Sequence, residues 1–383
     1  MPNLQDIPSD GFHAAASILA HAVATRNFPA AVIEVGNPTT PLWRRAFGRL
    51  HFEADAPPTV ADTIFDLASL TKVLATTALA MQQIERGVID LDDRVGGHIA
   101  AWRGADREQV TIRDLLAHCG GLADHAPLYR DYEPIPSPAS GLYRPVHATD
   151  NVPLTHAQMR DRFEAAICHL PLDYAPRTKS IYSDLGFMLL GFMLEGDTGL
   201  ASRTDTLRTQ MGGVEDLQFG PPTTWLPRTA PTEVDPWRGR PLVGEVHDEN
   251  AAALQGAAGH AGLFGTAAAC GEHARHLLQV LDGRVGAFGR ATLESFITRI
   301  SDVPRSSRAL GWDTMLPTSS CGSRMSNRSF GHTGFTGTSL WIDPERGVYV
   351  VLLTNRVHPT RANNAIRHVR PAVHNAVMNA LVA

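Results

Sequence analysis

The chain has 383 residues, is 43% hydrophobic, carries a formal net charge of -5, and contains no run of Lys or Arg. That length allows a large core, and the scattered charge excludes the electrostatic footprint of a nucleic-acid or anionic-membrane binder. Four well-separated cysteines, Cys119, Cys168, Cys270 and Cys321, show no CxxC spacing. They read as core thiols, so neither a disulfide scaffold nor a zinc or redox centre is expected.

The first residues lack a basic segment, and the Ala-rich stretch that follows is interrupted by His13, His21 and Arg26. No export signal is therefore read, and no stretch approaches the roughly 18 consecutive apolar residues of a membrane span. The expected location is the cytoplasm. Residues 12–26 read as a helix, followed by apolar runs at 31–35 and 42–47 around a Pro38 to Pro41 turn, which together suggest a helix feeding a hairpin. Helical patterns then occupy 69–86, 112–118, 157–168, 184–196 and 264–281. The Pro-rich connections at 126–153 and 217–242 are candidate pocket walls, since long loops are often functional.

Residues 338–342 and 348–353 flank the turn Asp343, Pro344, Glu345, Arg346, Gly347 and are rich in β-branched residues, as strands are. Ile366, Val369, Val373 and Val377 recur at helical spacing, with Pro371 expected to interrupt that final helix. Strands thus concentrate at the two ends. The expected class is α+β: an antiparallel sheet from residues 1–68 and 290–383, flanked by N- and C-terminal helices, with a mostly helical part at 69–289. The crevice between them is the natural place for a site.

Only two of the 34 basic residues are lysines, Lys72 and Lys179. Lys72 lies in SLTKVLATTALAMQQIERG, a segment apolar on nearly every face, which implies a buried helix. Burial disfavours the ammonium form and suits a proton acceptor, a role closed to arginine. Ser69, three residues earlier, shares a face with Lys72 in the first helical turn, where free N–H groups favour developing negative charge. A serine hydroxyl needs such activation to be a nucleophile. The alternative is a structural lysine bonded to interior carbonyls.

Three further stretches carry a resemblance. Ser69, Leu70, Thr71, Lys72 is similar to the nucleophile motif of penicillin-binding proteins, class C β-lactamases and related serine esterases and D-aminopeptidases. Tyr182, Ser183, Asp184 resembles the Tyr-x-Asn motif of that group, and His332, Thr333, Gly334 its Lys-Thr-Gly strand motif. DLLAHCGGL at 114–122, GHAGLFGTA at 259–267 and FTGTSLWIDPERGVYVVLLTNR at 335–356 also resemble its recurrent segments. The resemblance implies an antiparallel sheet flanked by helices with an all-helical second domain. It implies acylation of Ser69, with Tyr182 or Lys72 taking the serine proton, and an oxyanion hole from the backbone N–H groups of Ser69 and Phe335. Lys179, three residues before Tyr182, is a candidate neighbour of the site, with a surface position as the alternative.

Two positions depart from the pattern. His332 stands where the family has a lysine, replacing a permanent cation by a group mostly neutral at pH 7. Asp184 stands where the family has Asn, adding an anion able to pair with Lys72 or bind a cationic substrate. Both changes weaken recognition of a substrate carboxylate, so a neutral ester or amide is the expected substrate. The His247, Asp248, Glu249, Asn250 cluster lacks metal-ligand spacing and reads as pocket lining or a polar turn; His118, His125 and His260 read as cleft residues or buried backbone partners.

The functional expectation is therefore a serine hydrolase forming an acyl-enzyme on a small ester or amide, with no metal or cofactor and with water or another acyl acceptor as second substrate. Three alternatives stay open: an acyltransferase with the same acyl-enzyme, a β-lactamase, D-aminopeptidase or DD-peptidase, and a catalytically inactive binding protein.

Overall fold

A computed structural model describes residues 9–136, 143–147, 154–301 and 303–382. The chain enters through helix α1 (His13–Ala24) and the hairpin β1 (Ala30–Gly36) and β2 (Pro41–Gly48). Strand β3 (Phe65–Asp66) precedes a five-residue π-helical stretch, Lys72–Thr76, that runs into helix α2 (Thr77–Glu85). Helix α3 (Asp184–Leu194), the short strands β4 (Leu217–Phe219) and β5 (Leu263–Gly265) and helix α4 (Ala267–Leu281) follow. The C-terminal part supplies β6 (Asp313–Thr314), β7 (Phe330–Thr333), β8 (Ser339–Asp343), β9 (Val348–Thr354) and helix α5 (Ile366–Val382).

The expected joining of the two chain ends is observed. One six-stranded antiparallel sheet has the order β6-β7-β8-β9-β1-β2, with Ile33 of β1 opposite Leu352 of β9. Both central strands are buried on both faces, and their residues alternate between two cores as the period of a strand requires. Ala31, Ile33 and Val35 join Val348, Val350 and Leu352 in a core shared with α1 and α5. Val32, Tyr349, Val351 and Leu353 face the other way, into the larger core that continues through the middle of the chain.

Helix α4 lies against β1 and β9 on that second face. Glu34 interrupts the apolar face there, fully buried, and accepts from Tyr349 Oη at 2.7 Å and Arg275 Nη1 at 3.2 Å. An unpaired carboxylate in that position would cost several kcal/mol.

Pro371 does not interrupt the last helix, which runs unbroken from Ile366 to Val382. Proline removes one N–H and crowds the preceding turn. The buried stripe Val369, Val373, Val377 and Leu381, seated on the sheet, holds the helix through that defect.

The middle of the chain is mostly helical, with β3, β5 and β4 forming a small three-stranded sheet in that order. Helix α3 has the sequence DLGFMLLGFML and is buried on nearly every face, which makes it a central helix rather than a surface one. Gly191 of α3 is in close contact with Gly259, since a Cβ on Gly191 would stand 2.8 Å from the Gly259 Cα. This approach brings the 259–263 segment against α3 and the π-helical turn. Of the two long connections read as pocket walls, 126–153 is described only in part, with a strand pair at Tyr132–Pro136 and Tyr143–His147. No residue of 217–242 lines the main cavity, although Trp237 supports Tyr129, which does, with ring centroids 5.0 Å apart.

Candidate active site

Ser69 stands at the junction between β3 and the helical stretch, immediately after Ala68, whose φ of 47° is in the left-handed region. A residue with a Cβ is strained there by about 1–3 kcal/mol, and surrounding bonds must hold it. Asp66 does so from a fully buried position: Oδ1 accepts from the Ala68 N–H at 2.8 Å and Oδ2 from the His247 N–H at 2.6 Å. The Leu67 N–H donates to the Leu263 carbonyl at 2.9 Å. A π-helical stretch one turn beyond the serine is itself a feature common at functional sites.

Lys72 is fully buried, and its three ammonium protons have three acceptors. Nζ donates to Ser69 Oγ at 3.1 Å, to Asp184 Oδ1 at 2.6 Å and to the His260 carbonyl at 3.0 Å. The sequence argument expects burial to lower the Lys72 pKa. Burial does act in that direction, but the attraction of Asp184, with help from Tyr182, outweighs it and holds the ammonium above its ordinary range. The reason is the carboxylate at 184: it is the first residue of α3, delivered by the Ser183 cap, at the position where the resemblance leads one to expect a neutral Asn.

Tyr182 presents its ring between two cations, with Lys72 Nζ 4.8 Å and the Arg308 guanidinium carbon 5.2 Å from its centroid. The His118 ring lies tilted against it with centroids 4.7 Å apart, and the Ser183 N–H donates to His118 Nδ1 at 3.0 Å. Burial raises the Tyr182 pKa, while the Lys72 charge and the nearby Ser69 hydroxyl pull the other way. The hydroxyl is buried beside Lys72 and Ser69, its neighbours in the proton exchange the site would need.

The third motif ends β7. His332 is buried, and its Nδ1 meets the Thr333 carbonyl at 2.9 Å. Burial, the Arg308 charge and Lys72 push its pKa well below the ordinary value, so it is neutral, as the departure from lysine implied. Gly334 sits where no side chain fits: a Cβ would lie 2.0 Å from Thr338 Oγ1 and 2.6 Å from the Leu67 carbonyl. Thr336 Oγ1 donates to the Asp66 carbonyl at 2.8 Å and Thr338 Oγ1 to the Leu67 carbonyl at 3.0 Å. These bonds tie the 334–338 loop to the segment before Ser69. Ser69 and Phe335 both line the cavity, and among the described residues neither backbone N–H is taken by another group.

The cavity has a volume of about 670 Å³ and is lined by Ser69, Tyr182, Asp184, His332, Thr333, Gly334 and Phe335, with Lys72 beneath. Lys179 is exposed and does not line it. His125, His247, Asp248 and Glu249 form another wall. His247 is engaged with Glu233 at 2.9 Å and Asp248 with His260 at 2.8 Å, which reads as internal support. Among the described residues no group of His, Cys, Asp or Glu side chains is arranged to hold a metal ion, and no helix is long and apolar enough to cross a membrane.

Sequence reasoning missed the arginines. Arg308, Arg356, Arg361, Arg367 and Arg370 all line the cavity, five cations against the four carboxylates of Asp184, Asp248, Glu249 and Asp313. Individually they sit in ordinary-looking loops and a helix face, and no local spacing marks them. The loss of one lysine at His332 therefore does not leave the pocket without positive charge.

The β-lactamase family model matches residues 15–374. An N-acetylmuramyl-L-alanine amidase of Bacillus subtilis is 30% identical over 326 residues, covering 77% of this chain and 68% of that protein. A putative D-alanyl-D-alanine carboxypeptidase of Escherichia coli is 31% identical over 328 residues, covering 77% and 70% respectively. The unliganded structure of simvastatin synthase from Aspergillus terreus superposes with a TM-score of 0.68 at 21% identity, over 97% of this chain and 98% of that one, a likeness of fold. The chain belongs to the β-lactamase family, with the mixed antiparallel-sheet and helix fold of the penicillin-binding proteins, and is a serine hydrolase.

Proposed function

We propose that Ser69 is the nucleophile of an acyl-enzyme hydrolase acting on a small ester or amide. The observation that carries this reading is the 3.1 Å bond between Ser69 Oγ and a fully buried Lys72 whose other donors are committed to Asp184 and the His260 carbonyl. Lys72 and Tyr182 act as one proton-holding unit, since each shifts the other and both stand beside Ser69. The form lacking one proton takes the Ser69 proton as Oγ attacks the substrate carbonyl carbon. The same proton passes to the leaving alcohol or amine as its bond to that carbon breaks. The carbonyl oxygen, negatively charged in between, is received by the free N–H groups of Ser69 and Phe335, a contribution worth roughly 10²–10³ in rate per donor. Water then attacks the acyl carbon with the same unit taking its proton, and that proton returns to Ser69 Oγ as the bond between Oγ and the acyl carbon breaks.

A fluorophosphonate probe followed by peptide mass spectrometry tests this. Labelling is expected at Ser69 and is expected to be lost in Lys72→Arg, which keeps a charge but cannot release a proton. Labelling at another serine, or at none, overturns the assignment.

A further inference from the structure

The 334–338 turn between β7 and β8 closes on itself: the Gly334 N–H donates to the Thr338 carbonyl at 2.8 Å and the Gly337 N–H to the Gly334 carbonyl at 3.1 Å. Arg370, in the second turn of α5, reaches both acceptors. Its Nη2 donates to the Gly334 carbonyl at 2.9 Å and to the Thr338 carbonyl at 2.8 Å. Arg370 is 8% exposed, and burial and the charge of Arg356 push its pKa down to about 9, which still leaves a cation at neutral pH. Among the described residues no carboxylate pairs with it, and its Nε is buried without a partner. A buried cation spent on two main-chain carbonyls is a costly arrangement for a turn that already closes by its own hydrogen bonds.

The chemical consequence lies at the other end of the same peptide group. The bond between Gly334 and Phe335 is trans, so its N–H points away from its carbonyl. The guanidinium holds the oxygen end, and the N–H end belongs to Phe335, which lines the cavity with Ser69. A charge-assisted hydrogen bond to the carbonyl fixes the peptide plane and, away from bulk water, strengthens the N–H as a donor. Reversing this peptide would turn its oxygen into the cavity and take from Arg370 one of its two acceptors. The next carbonyl is held in the same manner, since Arg356 Nε donates to the Phe335 carbonyl at 2.8 Å. We propose that Arg370 is a positioning residue of the oxyanion hole, which aims and polarises the Phe335 N–H through the Gly334 carbonyl. This rests on the reading in which Ser69 attacks and the Phe335 N–H receives the carbonyl oxygen of the substrate. In that role Arg370 acts on the reacting oxygen only through one peptide group. Its loss is therefore felt according to the atom that takes up the negative charge, not according to the leaving group.

The test compares phenyl acetate with its thiono counterpart, in which sulfur, a weak hydrogen-bond acceptor, replaces the carbonyl oxygen. The ratio of the two kcat/KM values, oxygen over sulfur, divided by the same ratio for hydroxide, measures the contribution of the oxyanion hole, and the fraction of active enzyme cancels from it. The unaltered enzyme is expected to give a ratio well above one. Arg370→Gln is expected to lower it about 10-fold, part of the roughly 10²–10³ that loss of a whole donor costs. For phenyl acetate itself kcat is expected to fall while KM stays within about threefold, because the donor serves the transition state. An unchanged ratio in Arg370→Gln, with both esters slowed equally, overturns the proposal. If Arg370→Gln does not fold, Arg370→Lys decides: a point donor holds the carbonyl less firmly than the planar fork, so the ratio is expected to fall about threefold, and an unchanged ratio overturns the proposal. Fluorophosphonate labelling run in parallel separates the readings. Labelled Ser69 with an unchanged ratio in the variants removes the Arg370 assignment alone, whereas absence of labelling removes the nucleophile. A ratio of one in the unaltered enzyme removes the Phe335 donor and Arg370 with it.

Discussion

Asp184 Oδ1 stands 2.6 Å from Lys72 Nζ, 112 residues away in sequence, and the pair joins the first residue of α3 to the turn that follows Ser69. The carboxylate raises the pKa of Lys72 against the opposing effect of burial, and its charge also adds to the burial that raises Tyr182. If the active form lacks one proton from this unit, activity rises with pH through the pKa of the pair. Asp184→Asn removes the negative charge and lowers both pKa values. The acid limb of the kcat/KM profile is therefore expected to move to lower pH. A limb that stays in place or moves upward contradicts the assigned coupling.

Ser69→Ala is expected to abolish acylation, measured as loss of the burst of released phenol from an aryl ester. Tyr182→Phe keeps the ring between Lys72 and Arg308 but removes the hydroxyl. Its acylation rate is expected to fall by about 10²- to 10⁴-fold, the range for losing a general acid–base group. A change below about threefold assigns proton transfer to Lys72 alone.

Gly334→Ala tests the oxyanion hole through the backbone. The added methyl would meet Thr338 Oγ1 at 2.0 Å and the Leu67 carbonyl at 2.6 Å, so the 334–338 loop must move away from the segment before Ser69. That motion carries the Phe335 N–H with it. kcat is expected to fall by roughly 10²-fold with a smaller change in KM, because the donor serves the transition state more than the bound substrate. Equal loss in both parameters points to a general collapse of the site.

His332→Lys restores the family residue, yet a cation there faces Lys72, Arg308 and Arg370, the same charges that keep His332 neutral. Alone, it is expected to lower the melting temperature, since like charges are brought together in a buried place. In an Arg308→Gln background part of the repulsion is relieved, and the same substitution is expected to lower the melting temperature less. Melting temperatures of the single and double variants measure both outcomes.

Much of the fold was legible because its signals are local. The strands at both ends announce themselves by β-branched runs around short turns, and the 157–168 and 184–196 patterns match helices His156–His169 and Asp184–Leu194 closely. Pro371 was misread because proline is judged by its local cost, whereas the α5 stripe against the sheet supplies a larger gain. The π-helical turn after Ser69 was invisible for a similar reason: KVLAT has the composition of any buried helix.

By itself the sequence determined the Ser69 and Lys72 pairing, because residues three apart on a helix share a face whatever surrounds them. It also determined the order of the three motifs and the neutrality implied by His332. Only the tertiary structure decided the charge state of Lys72, because that depends on Asp184 arriving from α3 and on the His260 carbonyl arriving from the loop before β5. The same holds for the sign of the pocket: five arginines from three separate segments converge on one cavity, and electrostatic energy depends on distance in space rather than on separation along the chain.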